Sequence, residues 1–428
     1  MTAIRRWLVR WGPLLPILVA ELIILLGFGA LLPVLPLFVT EHGIDVPTLG
    51  LITAAWSIAK LIAEPIFGAL ADRTSRKPFL IGGALVLAVV TVLPVWFNTA
   101  VELFVLRFIA GAATGAYDPA ARGLIVDTTP EGERGEAFGI YSAFQMGGFV
   151  LGPVIGAFGA AMGGGFAFPF LLTGALTIGA AILLAVTLPG GRGMRPVQPT
   201  VAPEARTPAI PEPLPVEAIA VPPRSGRPST AAWSPASLIN HALIAAVVIH
   251  FGFSLAFGTY EVIWSLFLQD LGASVEWVGL TFALFGLPMM LVSPWAGKLV
   301  DRHGAAPFIV VGGISICVSG VVYALASEPL VATIPVPIEG VGEAFLLPGL
   351  FALVAFGSPS GRSSTAQGIF GAVGTIGLIV ATITAGVLWE LGRSWPFVFF
   401  VVGAGTSLVL GLVILRMGRA RVLQPVAA

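Results

Sequence analysis

Long apolar runs alternate with short polar segments along the whole chain, apart from one stretch near its middle. A helix needs about 20 apolar residues to cross a hydrocarbon core of ~30 Å. Twelve runs reach that length, so we predict twelve transmembrane helices. The predicted spans are 13–39, 48–70, 78–97, 101–126, 136–162, 166–188, 238–268, 275–299, 306–326, 330–356, 365–389 and 396–415.

The short polar segments determine the predicted orientation. If the amino terminus is cytoplasmic, every lysine and arginine outside the spans except Arg393 falls on the cytoplasmic side. Lys and Arg in short loops mark that side of a membrane protein, so we expect both termini to be cytoplasmic. The apolar run after Arg10 continues without a small-residue cleavage pattern, and we expect this first span to stay in the protein.

The composition agrees with a membrane bundle. Hydrophobic residues make up 57% of the chain and charged residues 10%, against about 25% charged in a soluble domain. The 53 glycines allow helices to approach closely in lipid. Acidic and basic residues balance at 22 each, which does not favour a nucleic-acid partner. Cys317 is the single cysteine and the four histidines are scattered, so we predict no metal site and no cofactor.

The stretch from 189 to 235 differs from the rest of the chain. It holds twelve prolines and lacks the apolar residues needed to fold. Proline interrupts regular helix, and a segment with little apolar surface stays disordered. We predict a disordered cytoplasmic linker at 189–235 between a first half, 1–188, and a second half, 236–428. We expect this linker to act as a tether, with a regulatory role as the alternative.

The two halves share a repeated loop. The segment GALADRTSRKP at 68–78 matches GKLVDRHGAAP at 297–307 at a constant offset of 229. Both copies follow the second predicted span of their half. Many transporters are built from such repeats and hold substrate near the midplane between them. We therefore predict an all-α polytopic membrane protein with two pseudo-symmetric six-helix bundles.

Three motifs of the first half point to a known family. The first motif is the loop after the second span, Gly68 to Lys77, in which Ser75 stands where glycine is usual. The second motif lies in the fourth span and reads Leu103-x-x-x-Arg107-x-x-x-Gly111. The third motif lies in the fifth span and reads Gly148-x-x-x-Gly152-Pro153-x-x-Gly156, and Ala157 stands where a second glycine is common. Together these motifs resemble those of the major facilitator superfamily, and within it the twelve-helix drug and proton antiporters. The resemblance implies a plasma or inner membrane location.

The resemblance also implies that the repeated loop is a gate. Asp72 would face the positive amino end of a second-half helix, and one of the three basic residues of the loop could pair with Asp127. The alternative is that these charges only anchor loops at the lipid headgroups. The residues expected to act in gating are Gly68, Asp72, Arg73, Arg76, Lys77, Asp127, Asp301 and Arg302.

The motif of the fifth span predicts a bend. Proline lacks the N–H that continues a helix and clashes one turn back, so Gly152-Pro153 permits a kink. Together with Gly148 and Gly156, this bend could support alternating access. The alternative is an ordinary kinked span.

Ionisable residues within spans are functional candidates, because charge is costly at membrane depth. Glu21 and Glu64 lie about 12 Å above the cytoplasmic end at 1.5 Å per residue. Lys60 is one turn from Glu64, so these three could form a polar cluster. Arg107 lies about 9 Å below the outer face, which makes direct contact with Glu21 doubtful. The resemblance associates Arg107 with proton coupling; a tie to backbone carbonyls is the alternative.

The second half supplies its own ionisable candidates. Glu339 and Glu343 are one turn apart in the tenth span, and Glu261 lies in the seventh. Glu339 is near the midplane without an evident partner, so either Glu339 or Glu21 is expected to carry the proton. His250 is a weaker candidate, since a single histidine in a helix more often packs through a hydrogen bond.

Aromatic residues within the spans could line an apolar cavity suited to lipophilic compounds, or could face lipid. The periodicity does not distinguish these alternatives. The residues considered are Trp56, Phe67, Tyr141, Phe144, Phe253, Tyr260 and Trp264.

We therefore expect proton-coupled efflux of lipophilic or cationic small molecules by alternating access. The expected partners are a small-molecule substrate, protons and membrane lipid, and the protein is expected to be a monomer. The alternative is transport of a sugar, metabolite anion or lipid on the same fold, with Lys60 and Arg107 binding an anionic group. A membrane enzyme or sensor is disfavoured, because no catalytic cluster and no sizeable soluble domain is evident.

Overall fold

The computed structural model describes residues 7, 10–130, 133–188, 240–357 and 363–422. In these ranges, twelve helices are long and apolar enough to cross a membrane, as predicted. They are α1 Leu15–Leu31, α2 Val46–Arg73, α3 Arg76–Val92, α4 Ala100–Thr128, α5 Arg134–Gly159, α6 Ala167–Thr187, α7 His241–Asp270, α8 Val275–His303, α9 Ala305–Leu325, α10 Val336–Gly357, α11 Ser363–Leu391 and α12 Trp395–Val422. The predicted linker at 189–235 lies outside the described residues.

Short helices extend two of the membrane helices. Leu35–Glu41 follows α1 after a break at Pro33, and Pro329–Thr333 precedes α10. Proline cannot donate the hydrogen bond that would continue a helix, which explains the break in the first span. The predicted span 13–39 is therefore two helices in series.

Side chains cap several helices at their amino ends. Asp45 accepts a hydrogen bond from the Thr48 amide at 2.8 Å before α2, and Asn240 accepts one from Leu243 at 2.9 Å before α7. These caps satisfy amide groups that have no partner within the helix. The hydrogen bonds from Thr48 also hold the pKa of the Asp45 carboxyl below its usual value.

The packing pattern of the first six helices is repeated in the second six. In the first half, α1 packs on α5 and α6, α2 packs on α4, and α3 packs on α4 and α6. In the second half, α7 packs on α11 and α12, α8 packs on α10, and α9 packs on α10 and α12. Each contact of the first half thus has its counterpart six helices later, which confirms the pseudo-symmetric pair of bundles.

The two halves meet through α2 with α11 and through α5 with α8. We call the side where α1 begins and α12 ends the termini side, and the opposite side the far side. Toward the far side, a Cβ on Gly50 would lie 2.4 Å from the Thr382 carbonyl oxygen, and one on Gly279 would lie 2.9 Å from that of Pro153. Gly279 follows Gly50 at 229 positions, the offset of the repeated loop. The duplication therefore extends to the contacts between the halves.

Toward the termini side, glycines of α2, α5, α8 and α11 make no close contact with the other half. A Cβ on Gly68 in α2 would meet only Pro119 of its own half within 4 Å, at 3.3 Å. A Cβ on Gly139 in α5, on Gly297 in α8 or on Gly368 in α11 would meet nothing within 4 Å. The glycine contacts between the described parts of the two halves thus lie toward the far side, and these four glycines make none toward the termini side.

The glycines of the fifth-span motif bring α5 against the backbone of α1. A Cβ on Gly148, Gly152 or Gly156 would lie 2.3, 2.4 and 2.1 Å from carbonyl oxygens of α1. Small residues allow this approach where lipid gives no hydrophobic force between helices. Helix α5 is continuous through Pro153 to Gly159. A bend that supports alternating access stays a prediction.

Candidate transport site

Two cavities lie within the bundle. The first, which we call the aromatic cavity, has a volume of about 70 Å³ and is formed mainly by the second half. Half of its lining residues are aromatic, and they are Phe149, Phe253, Phe257, Tyr260, Trp264, Phe282, Phe285 and Tyr323. Three carboxyl groups also line it, those of Glu261, Glu339 and Glu343. This combination of ring faces and acids is suited to an apolar ligand that carries positive charge.

Glu339 is the most strongly fixed of the three acids. Its side chain is buried, with 2% exposure, near the start of α10. Tyr260 of α7 donates a hydrogen bond to its Oε1 at 2.7 Å, and Tyr323 of α9 donates one to its Oε2 at 2.6 Å. Donors from two further helices therefore hold both carboxyl oxygens in place.

The aromatic side chains around Glu339 hold one another. Tyr260 and Tyr323 meet edge to face with ring centroids 6.0 Å apart, and Trp264 lies 4.9 Å from Tyr323. The Trp264 indole N–H donates to Thr281 Oγ1 at 2.9 Å. A buried indole with a satisfied N–H and edge-to-face neighbours has few alternative rotamers. The ring faces of the cavity are thus preorganised.

Glu343 lines the same cavity one turn after Glu339. In the part of the chain that the structure describes, no basic side chain comes within ion-pair distance of Glu339 or Glu343. An isolated carboxylate at this depth is unfavourable, so protonation or a bound cation must compensate each charge.

Glu261 forms an ion pair across the two halves. Arg107 Nη2 of α4 lies 3.4 Å from Glu261 Oε1 of α7, with the two side chains 14% and 7% exposed. The sequence did not predict this pairing. Arg107 lines the second cavity and Glu261 lines the aromatic cavity, so the ion pair lies between the two.

The second cavity has a volume of about 190 Å³, and its described lining comes from the first half; we call it the amino-terminal cavity. Glu21 lines it with 1% exposure. Gln145 of α5 donates a hydrogen bond to Glu21 Oε1 at 2.6 Å, and Glu21 Oε2 is buried without a partner.

Two residues of the predicted cluster of Glu21, Lys60 and Glu64 each pair with a residue of α4. Lys60 Nζ lies 2.6 Å from Asp118 Oδ2, and Glu64 pairs with Arg122, so only Glu21 and Lys60 line the cavity together. Since α4 packs on the face of α2 that carries Lys60 and Glu64, it supplies both counter-charges.

Asp118 is the residue that sequence reasoning missed. It lies inside the fourth predicted span, where the rule that marks buried charges as candidates applies to it as well. It also lies one turn before Arg122, in line with the spacing of Lys60 and Glu64 on α2. That matched spacing was the available signal.

The repeated loop forms a charge cluster within the first half. Arg76 lies 2.9 Å from Asp72 and 2.5 Å from Asp127, and Asp127 was an expected partner of the loop. Lys77 instead donates to the carbonyl groups of Ala185 and Leu188 at the end of α6. These contacts fix the loop against its own bundle.

Asp72 does not meet the amino end of a second-half helix in the described part of the chain. Its side chain is 65% exposed. Arg73 and Arg302 are exposed, and the side chain of Asp301 lies outside the described residues. A role of the loop in gating stays a prediction.

Some of the remaining candidate residues line a cavity, and the others do not. His250 stacks on Phe370 with ring centroids 4.0 Å apart and lines neither cavity, which fits the packing alternative. Phe253, Tyr260 and Trp264 line the aromatic cavity and Trp56 the amino-terminal cavity. The other aromatic candidates, Phe67, Tyr141 and Phe144, line neither.

Drug resistance proteins are among the known proteins with similar sequences. The quinolone resistance protein NorA of Staphylococcus aureus (strain MRSA252) is 35% identical over 166 residues, which are 39% of this chain and 42% of NorA. Multidrug resistance protein 2 of Bacillus subtilis (strain 168) is 34% identical over 158 residues, 37% of this chain and 39% of that protein. The chain thus matches about two fifths of the length of these curated relatives.

Solved structures of transporters share the fold. The nucleoside transporter NupG superposes with a TM-score of 0.67 at 15% identity, over 94% of this chain and 98% of NupG. A bacterial homologue of the human lysosomal transporter Spinster, in an inward-facing and unoccupied conformation, gives 0.67 at 16% identity, over 96% of this chain and 95% of that chain.

The model of the Major Facilitator Superfamily matches residues 17–262 and 242–426, which together span nearly the whole chain. This match confirms the resemblance inferred from the three motifs. The protein belongs to the Major Facilitator Superfamily and is a multi-pass membrane protein.

Proposed function

We propose that this protein exports lipophilic organic cations in exchange for protons, by alternating access across the plasma or inner membrane. The observation that carries the proposal is the aromatic cavity, in which Glu339 and Glu343 lie among eight aromatic side chains and, within the described residues, have no basic partner. The similarity to quinolone and multidrug resistance proteins supports the same conclusion.

The chemistry of exchange follows from the two unpaired acids. A cation over an aromatic ring is stabilised by the ring quadrupole, and a carboxylate beside it neutralises its charge. When the cation leaves, a proton can neutralise the same carboxylate, because an isolated charge at this depth is unfavourable. Cation and proton then occupy the cavity in turn, which is the requirement for antiport.

The contacts between the halves supply the conformational part of the proposal. If the termini are cytoplasmic, as the distribution of basic residues favours, the glycine contacts between the halves support a state that is closed to the outside. Separation of α2 from α11 and of α5 from α8, with release of Arg107 from Glu261, would open the outer side. Such an opening is what alternating access by rocking of two repeats requires.

An anionic cargo is less well supported. Lys60 and Arg107, the cations that would bind it, are already paired with Asp118 and Glu261. The similarity to NupG extends to the fold alone, at 15% identity.

Ethidium transport in everted membrane vesicles tests the proposal. We expect ethidium accumulation in energised vesicles, its collapse on addition of a protonophore, and a rate lower by about tenfold or more in Glu339→Gln and in Glu343→Gln. Tenfold corresponds to about 1.4 kcal/mol, within the range of one charge-assisted contact. Glu390→Gln, which changes an exposed carboxyl of α11, is the matched control and is expected to transport normally.

Two results would contradict the proposal in different ways. Ethidium transport that persists with the protonophore would refute proton coupling. Full activity in both cavity variants would place the cation site elsewhere in the protein.

A further inference from the structure

The amino-terminal cavity is separate from the proposed transport site. None of its lining residues lines the aromatic cavity, and all of them come from the first half. Its volume of about 190 Å³ is comparable with that of the engineered apolar cavity of about 150 Å³ that binds benzene. The proposed function has no role for it.

Buried polar atoms in this cavity lack partners. Glu21 Oε2 makes no hydrogen bond, while Gln145 holds the other oxygen of the same carboxyl at 2.6 Å. The Tyr117 hydroxyl, which also lines the cavity, is buried next to this carboxyl without a hydrogen bond of normal geometry. Buried polar atoms are nearly always satisfied by protein, water or ligand, so this carboxyl and hydroxyl together mark one place where a ligand donor would be accepted.

The cations of the cavity are not available to Glu21. Lys60 is paired with Asp118 at 2.6 Å, and Arg107 is paired with Glu261 at 3.4 Å. The carboxyl group of Glu21 is therefore the only acidic group in the described lining of this cavity without a basic partner. The complementary ligand group is a positively charged hydrogen-bond donor.

Aromatic rings line the same cavity as this carboxyl. Phe28 and Trp56 are in contact, with ring centroids 5.8 Å apart, and Lys60 Nζ already lies 5.0 Å from the Trp56 ring centroid. The Trp56 ring thus accepts a cation on its face in the unliganded protein. The wall of the cavity fits an apolar ring next to an ammonium group.

We propose that the amino-terminal cavity is a second binding site, which takes an arylalkyl ammonium compound with its ammonium group on Glu21 and its ring beside Phe28 and Trp56. The inference rests on the proposed function only for the class of cargo. It adds a site that holds a cation independently of Glu339 and Glu343.

Equilibrium binding of radiolabelled 2-phenylethylammonium to the purified full-length protein in detergent tests this site. We expect two ammonium ions per chain in the wild type. Glu21→Gln is expected to lose one of the two, with a dissociation constant raised about tenfold or more, as for loss of a charge-assisted hydrogen bond. Glu339→Gln combined with Glu343→Gln is expected to lose the other and to retain the site at Glu21.

A second variant acts on the cavity without changing charge. Ala110 lines this cavity, so Ala110→Leu narrows it and is expected to lose the same site as Glu21→Gln. Retained binding in the aromatic cavity shows that each variant is folded. Neutral 2-phenylethanol is expected not to compete.

The possible outcomes separate the two proposals. A single site that is lost in the Glu339 and Glu343 variant but kept in Glu21→Gln overturns the second site and leaves the proposed function intact. A site lost only in Glu21→Gln and in Ala110→Leu supports the second site and counts against the aromatic cavity. Equal binding of the neutral alcohol overturns the role of Glu21 as the ammonium partner.

Discussion

Arg107→Ala is expected to lower the free energy of unfolding by about 3–5 kcal/mol, because it leaves the Glu261 carboxylate buried without its counter-ion. The Glu261 side chain is 7% exposed, so water cannot replace the guanidinium. Thermal unfolding of the purified protein in detergent measures the change. The same variant should lose ethidium transport, since the ion pair links the two halves.

A matched ion pair provides the control for Arg107→Ala. Arg393 and Asp270 lie 3.1 Å apart with side chains 42% and 50% exposed, and exposed pairs contribute about 1 kcal/mol or less. Arg393→Ala should therefore unfold close to the wild type. The double variant Arg107→Met with Glu261→Leu should recover most of the lost stability, because it removes both buried charges, yet remain inactive. Equal stability of Arg107→Ala and Arg393→Ala would show that the buried pair does not stabilise the fold.

Gly156→Ala is expected to destabilise the protein by about 1–3 kcal/mol through overpacking. Its added Cβ would lie 2.1 Å from the Ala30 carbonyl oxygen, so α1 and α5 must move apart. Gly139→Ala in the same helix is the control, because its Cβ would meet nothing within 4 Å. That control should gain up to about 1 kcal/mol from the better helix propensity of alanine. Thermal unfolding of both variants measures the difference in stability. A Gly156→Ala protein as stable as Gly139→Ala would exclude close contact between α1 and α5.

The number and approximate extent of the membrane helices could be predicted because the bilayer imposes a length on each apolar run. The duplication was also readable, since Gly68 and Asp72 recur as Gly297 and Asp301. The break in the first span could have been predicted from Pro33, which stands within the apolar run. These features can be read along the chain without knowing how the helices pack.

The pairing of charges depends on how helices face one another, and spacing along one helix does not reveal this. Lys60 and Glu64 are one turn apart and suggested a pair, but α4 supplies Asp118 and Arg122 to them. The ion pair of Arg107 required the position of one half relative to the other. Periodicity gives little help, because a helix in lipid is apolar on its exposed face as well as on its buried one.

The partners of the acidic residues in the second half likewise could not be predicted from spacing along one helix. Glu339 was expected to lack a partner near the midplane, and its cavity indeed holds no cation in the described residues. The two hydroxyl groups that hold it come from α7 and α9, at Tyr260 and Tyr323. Only Tyr260 was among the aromatic candidates, and neither contact could be derived without the fold.

The close approach of Gly50 to Thr382 and of Gly279 to Pro153 has a consequence for the forces that hold the far side closed. Both contacts join uncharged backbone, so their strength comes from dispersion and short-range packing. Dissolved salt screens exposed charges and has little effect on such contacts. Bilayer thickness and lateral pressure act directly on the spacing of helices. The lipid composition of the membrane, more than the ionic strength of the solution, should therefore set how readily the two halves part on that side.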